Sequence, residues 1–154
     1  MNLPAFVLFN GLLLSAAICD VKAFRIPNVL SGSLALAGLV AHPPASWTEF
    51  LARLASVVIV VVVCGLMWTR RMIGGGDLKL LMACAVWIPV ATLGGFAIWL
   101  GWLGAFQGLA TLALLRWTPL ASHAAASERA RSQIPYGVSI AGAGLLWSLP
   151  ALSL

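Results

Sequence analysis

Asp20 and Asp77 are the only aspartates in the chain, and each stands where an apolar run meets a basic loop, Asp77 directly behind Gly74-Gly75-Gly76. A carboxylate beside hydrocarbon is costly and marks a functional position unless a partner explains it. Two of them brought to the same membrane face suggest a catalytic pair, and peptide hydrolysis is one reaction that such a pair divides between its members. The ionised member draws a proton from the attacking water, and the protonated member donates to the carbonyl oxygen and later to the departing amine. Proximity enforces that split, because two like charges in a poorly solvated site do not both ionise readily. The helix field adds a preference. Asp77 at a helix start favours its anion and Asp20 near a helix end feels the opposite, each by about 0.3 to 1 kcal/mol. On that ground Asp77 is expected to be the base.

Other chemistries find less support. Cys19, Cys64 and Cys84 lie in apolar runs without CxxC spacing, so neither a zinc site nor a disulfide framework is indicated. His42 and His123 fall in loops expected on opposite sides of the membrane, which argues against a shared metal site. The serines have no histidine partner on the same face. Carboxylate chemistry remains, with no metal and no cofactor expected.

The elements that must position the pair follow from composition. The chain of 154 residues is 62% hydrophobic and 8% charged, with mean hydropathy +1.03. Such a surface belongs in a bilayer. At roughly 20 residues per span the length allows about six transmembrane helices in one bundle, an all-α membrane protein read as a single polytopic domain over 1–154.

Span one is expected over Leu3 to Arg25, ending before the Ile26-Pro27 pair. It lacks a basic leading region and a small-x-small cleavage site, and is read as a permanent span rather than a signal peptide. Asn28 or the Ile26-Pro27 pair opens span two, which continues to about Ala41 and is stopped by Pro43-Pro44. At roughly 1.5 Å per residue it is short for a 30 Å core unless the bilayer thins or neighbours shield it. Span three covers Phe50 to Trp68, with Thr48 as N-cap and Glu49 paired with Arg53 at i,i+4. Span four runs from Asp77 to Leu93, bent near Pro89, with Gly94-Gly95 as the turn into span five, Phe96 to Trp117. The polar stretch Thr118 to Gln133 reads as the longest loop, and span six as Pro135 to Leu152.

Basic residues set the orientation. Lys22 and Arg25 lie in loop one, Arg70, Arg71 and Lys79 at loop three, and Arg116, Arg129 and Arg131 at loop five, leaving Arg53 alone on the other side. The positive-inside rule then makes loops one, three and five cytoplasmic and both termini external. Asp20 and Asp77 therefore share the cytoplasmic face. The net charge of +5 is explained by this topology. Without aromatic interleaving or a folded basic module, it does not point to nucleic acid.

Three segments gather at that face: Asp20-Val21-Lys22 followed by Ile26-Pro27-Asn28, then Gly74-Gly75-Gly76-Asp77-Leu78-Lys79, then Pro135-Tyr136-Gly137. In order and placement they resemble the type IV prepilin peptidases, aspartic intramembrane proteases of the GxGD class, and most closely the short form associated with Tad/Flp pilus systems. The resemblance implies that Asp20 and Asp77 are catalytic, with Gly74, Gly75, Gly76, Lys79, Lys22, Pro27, Pro135, Tyr136 and Gly137 as motif support. It implies a bacterial inner-membrane enzyme whose partners are the bilayer and a prepilin. That substrate would carry a hydrophilic leader, a glycine before the cut, and an apolar helix lying among the enzyme's spans. Longer relatives carry a cysteine-rich insert and methylate the new amino terminus. No such insert is present, so peptidase activity without methyltransferase is expected. Gly74 to Gly76 are expected to form a pliable loop with positive φ beside the scissile bond.

Each residue alone has a plainer role. Asp77 suits an N-cap, Asp20 a helix-end pair with Lys22 or Arg25, and Lys22 and Lys79 snorkelling topology signals. Pro135-Tyr136-Gly137 suits a helix start with an interfacial tyrosine. Their coincidence favours the protease. The alternative class is an ion- or proton-coupled transporter using the two Asp as a relay, opposed by their distance from mid-membrane and by the lack of an inverted repeat. A third is a non-enzymatic scaffold docking through its basic loops.

Overall fold

The computed structural model describes residues 1–117 and 135–152, with side chains over 1–113 and 135–150. The described residues form six helices and no strand: α1 (Leu3–Ala23), α2 (Asn28–Ala41), α3 (Trp47–Thr69), α4 (Gly75–Trp87), α5 (Val90–Trp117) and α6 (Tyr136–Leu152). The stretch Thr118 to Gln133, with His123, Arg129 and Arg131, lies outside the described residues.

α1 opens on Asn2, whose side chain accepts the Ala5 N–H at 3.1 Å, and it buries Ala5, Phe9, Leu13, Ala16, Ala17 and Asp20. That three-and-four spacing is a single helical stripe, so Asp20 falls in register with the core residues. The helix stops two residues short of the expected Arg25. Phe24 takes the left-handed conformation at φ 50° and donates its N–H to the Asp20 carbonyl at 2.7 Å, ending α1 before Pro27 is reached.

α2 has the expected limits. Its stripe of Ser31, Leu34 and Gly38 is buried, and the Trp87 indole N–H of α4 donates to the Leu34 carbonyl at 2.7 Å. Gly38 is required there, because a Cβ would stand 2.8 Å from the Trp87 Nε1. α3 is capped by Ser46, whose hydroxyl accepts the Glu49 N–H at 3.2 Å, rather than by Thr48. The expected Glu49 to Arg53 pair is not made. Glu49 instead accepts the Ala45 N–H at 2.8 Å, and Arg53 donates to the His42 carbonyl.

α4 is central, packing against α2, α3 and α6, and buries Leu80, Leu81, Ala83, Cys84, Ala85 and Trp87. A helix apolar on most sides belongs in such a position. It ends earlier than expected. Ile88 is extended, as the residue before a proline is pushed to be, so Pro89 separates two helices instead of bending one. Gly94 and Gly95 lie inside α5 with open space around them. The turn falls at Ile88-Pro89.

α1 and α6 form the closest pair, α5 packs on α6, and α3 and α5 meet only lightly. Phe9 anchors the core between Trp87 and Trp147, with ring centroids 5.0 and 5.8 Å away. Among the described residues three helices are long and apolar enough to cross a membrane, Leu3–Ala23, Trp47–Thr69 and Val90–Ala113. α2 and α4 have 14 and 13 residues, roughly 20 Å each, and lie against their neighbours. The protein is an all-α membrane bundle.

Candidate active site

Asp20 occupies the last turn of α1 and is only 6% exposed. Its Oδ2 accepts the backbone N–H of Gly137 at 2.8 Å, a bond between residues 117 apart in sequence. Gly137 is in the first turn of α6, where backbone N–H groups have no partner within the helix. Asp20 supplies one from another element. The contact leaves no room for a side chain, since a Cβ on Gly137 would stand 2.9 Å from the Asp20 Oδ2.

Asp77 is held locally. Gly74 is the N-cap of α4 and Asp77 the third helical residue, so its carboxylate reaches back to the Gly74 amide in the manner of a capping box. Asp77 is therefore not itself the N-cap. A Cβ on Gly74 would lie 3.0 Å from the Asp77 Oδ2, so a larger residue would crowd the carboxylate. The glycine run is not the expected loop of positive φ, because Gly75 and Gly76 are already helical and no glycine has positive φ. Chain reversal falls instead to Phe24 and Arg71, at φ 50° and 57°. What the glycines supply is clearance. Ile26, in the linker after α1, lies 3.5 Å from where a Gly76 Cβ would be.

These contacts bring the two aspartates to one end of the bundle, close enough that the Asp20 charge acts on Asp77. The field argument from sequence changes accordingly. Asp20 faces the N-terminus of α6 as well as standing at the C-terminal turn of α1, so both carboxylates see the positive end of a helix. Nothing then singles out Asp77 as base.

Asp77 also opens onto a cleft of about 860 Å³ between α3 and α5, whose walls include Val63, Met67, Leu81, Phe96, Gly104 and Tyr136. The walls are almost wholly apolar. The family model of the type IV leader peptidases matches residues 7–115. The chain belongs to the type IV leader peptidase family. Membership makes it a peptidase and sets aside the transporter reading. Both aspartates fall within the matched stretch, whereas Pro135-Tyr136-Gly137 lies beyond it. No curated protein and no solved structure matches the chain.

In this leader peptidase the remaining motif residues divide. Tyr136 lines the cleft and Pro27 caps the start of α2. Lys79 points elsewhere, donating to the Asn28 Oδ1 at 2.9 Å and lining a smaller hollow between α2, α3 and α4. Lys22 is exposed on the last turn of α1. His42 is at the opposite end, against Trp87 with ring centroids 5.4 Å apart. Burial, the Arg53 guanidinium and the chain's N-terminus hold its imidazole below the ordinary value.

Two polar residues escaped the sequence reading. Gln107 of α5 donates from Nε2 to the Pro135 carbonyl at 2.8 Å, and its Oε1 accepts the hydroxyl of the buried Ser139. The available signal was a carboxamide inside an apolar helix, which in hydrocarbon needs partners.

Proposed function

We propose that Asp20 and Asp77 are the catalytic pair of an aspartic endopeptidase that removes the leader from prepilin-like proteins at the cytoplasmic face of the bacterial inner membrane. The observation that carries this reading is the convergence of the two carboxylates at one end of the bundle, one of them at the head of an apolar cleft. One carboxylate takes a proton from water as the oxygen attacks the scissile carbonyl, and the other donates its proton to the carbonyl oxygen. Collapse of the tetrahedral intermediate breaks the C–N bond, with the amine receiving the proton first drawn from water. The carbonyl proton returns to its carboxylate, so the pair ends as it began.

The cleft between α3 and α5 suits the substrate's apolar helix, and the head of the cleft suits its extended junction with the leader. Extended backbone is needed there because a helical peptide bond is shielded by its own turn. Leaders of this kind tend to be basic, so the positive loops do not attract them by net charge. Helix packing carries recognition. The basic loops beside the pair support a cytoplasmic site.

Co-expression of a tagged prepilin with the wild type, Asp20→Asn and Asp77→Asn tests the proposal by leader removal on a gel. Both variants are expected to leave the precursor intact while remaining inserted in the membrane. Processing by either variant at the wild-type level overturns the pair.

A further inference from the structure

We infer that Gln107 is a positioning residue for Asp20, acting through the first turn of α6. This rests on the proposed role of Asp20. A carboxamide in an apolar bundle is stabilised only when both of its ends find partners. Gln107 directs both ends to one place. Its Nε2 donates to the Pro135 carbonyl at 2.8 Å and its Oε1 takes the Ser139 hydroxyl, so the two bonds grip α6 at residues on either side of Gly137. The Pro135 carbonyl also accepts the Val138 N–H at 3.2 Å, tying the grip to the turn that presents the Gly137 N–H. That N–H is bonded to the Asp20 Oδ2 at 2.8 Å.

The route from α5 to Asp20 is thus four groups long: the carboxamide, the Pro135 carbonyl, the Gly137 amide and the carboxylate. On the α5 side the backbone carbonyl of Gln107 accepts the Thr111 hydroxyl at 2.9 Å. Gln107 is not part of the cleft wall, so its side chain is set off from the space proposed for the substrate. Loss of the carboxamide frees the first turn of α6 and lets the Gly137 donor drift from Asp20. Such a change affects turnover more than substrate capture.

The test uses purified full-length protein in lipid nanodiscs with a fluorogenic peptide spanning a prepilin leader junction, comparing wild type, Gln107→Leu, Gln107→Glu and Ser139→Ala, with Asp20→Asn as control. For Gln107→Leu, kcat is expected to fall about 10- to 100-fold with KM within about twofold, the scale of a catalytic group displaced by about 1 Å. Gln107→Glu, which keeps the bond from Ser139, and Ser139→Ala, which keeps the bond to Pro135, are expected to fall between Gln107→Leu and wild type. Thermal unfolding of each variant reports whether the bundle is intact. Wild-type kcat in a folded Gln107→Leu or Ser139→Ala, or an equal loss through KM, overturns the inference. If Asp20→Asn also cleaves normally, the catalytic pair itself falls; if Asp20→Asn is inactive while the other variants are normal, only the positioning role falls.

Discussion

The two flanks of the bundle are built differently, and one aspartate stands on each. On the α1–α6 flank the helices touch so closely that a Cβ on Gly144 would run into the Leu13 side chain, and Asp20 is bonded there to an amide 117 residues away. On the α3–α5 flank the helices stand apart around about 860 Å³ of apolar space, and Asp77 faces it while bonded to its own helix start. The contrast separates two tasks. A closed flank fixes one carboxylate through tertiary packing, and an open flank leaves beside the other the room that the proposed substrate helix needs. Asp20 therefore depends on distant residues for its position, whereas Asp77 depends on its four-residue neighbourhood.

The largest way to break the comparison is to remove either carboxylate. Asp20→Asn and Asp77→Asn are each expected to cut cleavage by on the order of 10⁴-fold, the scale of losing one member of a catalytic unit, and the double variant to be no worse than either single one. Single-turnover assays with all three check this. A double variant much slower than both singles would show that the two act independently.

The next effect attacks the closed flank. Gly137→Ala places a methyl 2.9 Å from the Asp20 Oδ2 and 3.0 Å from its Cβ, so the carboxylate must move. Overpacking of this kind costs about 1 to 3 kcal/mol, and kcat is expected to drop by about 10- to 100-fold. Unfolding curves and steady-state kinetics measure the two separately. Wild-type kcat in this variant would show that Asp20 needs no fixed donor.

The open flank is probed by filling it. Gly108 lines the cleft and has nothing within 4 Å of an added Cβ, so Gly108→Leu is expected to fold normally. It is expected to raise KM for a substrate carrying its apolar helix by about tenfold, a loss of about 1.4 kcal/mol, and to leave a short leader-junction peptide unaffected. Equal KM values for the two substrates would place the substrate helix elsewhere. The smallest effect lies far from both carboxylates. Ser46→Ala removes the N-cap of α3 and is expected to cost about 1 kcal/mol, seen as a lower unfolding temperature with kcat and KM unchanged.

What was legible in the sequence was mostly local. The limits of α2 followed from Pro27 and from Pro43-Pro44, and the start of α6 from Pro135, because proline restricts its own backbone and its neighbour's whatever surrounds it. The candidate pair was legible because two acids stand out in a chain that is 62% hydrophobic. The division between α4 and α5 was misplaced because Gly94-Gly95 resembled a turn, although membrane helices tolerate glycine and Pro89 was the stronger break. The glycine run misled for a related reason. Its freedom of φ was visible, but the demand for clearance beside Ile26 and the Asp77 carboxylate depends on neighbours brought in by folding. Asp20 bonded to Gly137, and Gln107 gripping α6, were invisible because no local pattern reports a partner on another helix.

The length of α4 has a consequence for hydrolysis. With 13 residues, this central rod falls about 10 Å short of the hydrocarbon thickness of an ordinary membrane. Trp87 at its far end is tied to α2, itself only 14 residues long. The missing length has to be made up at one tip or the other, and Asp77 stands at the tip nearest the cleft. A truncated rod with an acid in its first turn is a place for solvent to meet an oily interior, and a reaction that consumes water needs such a place.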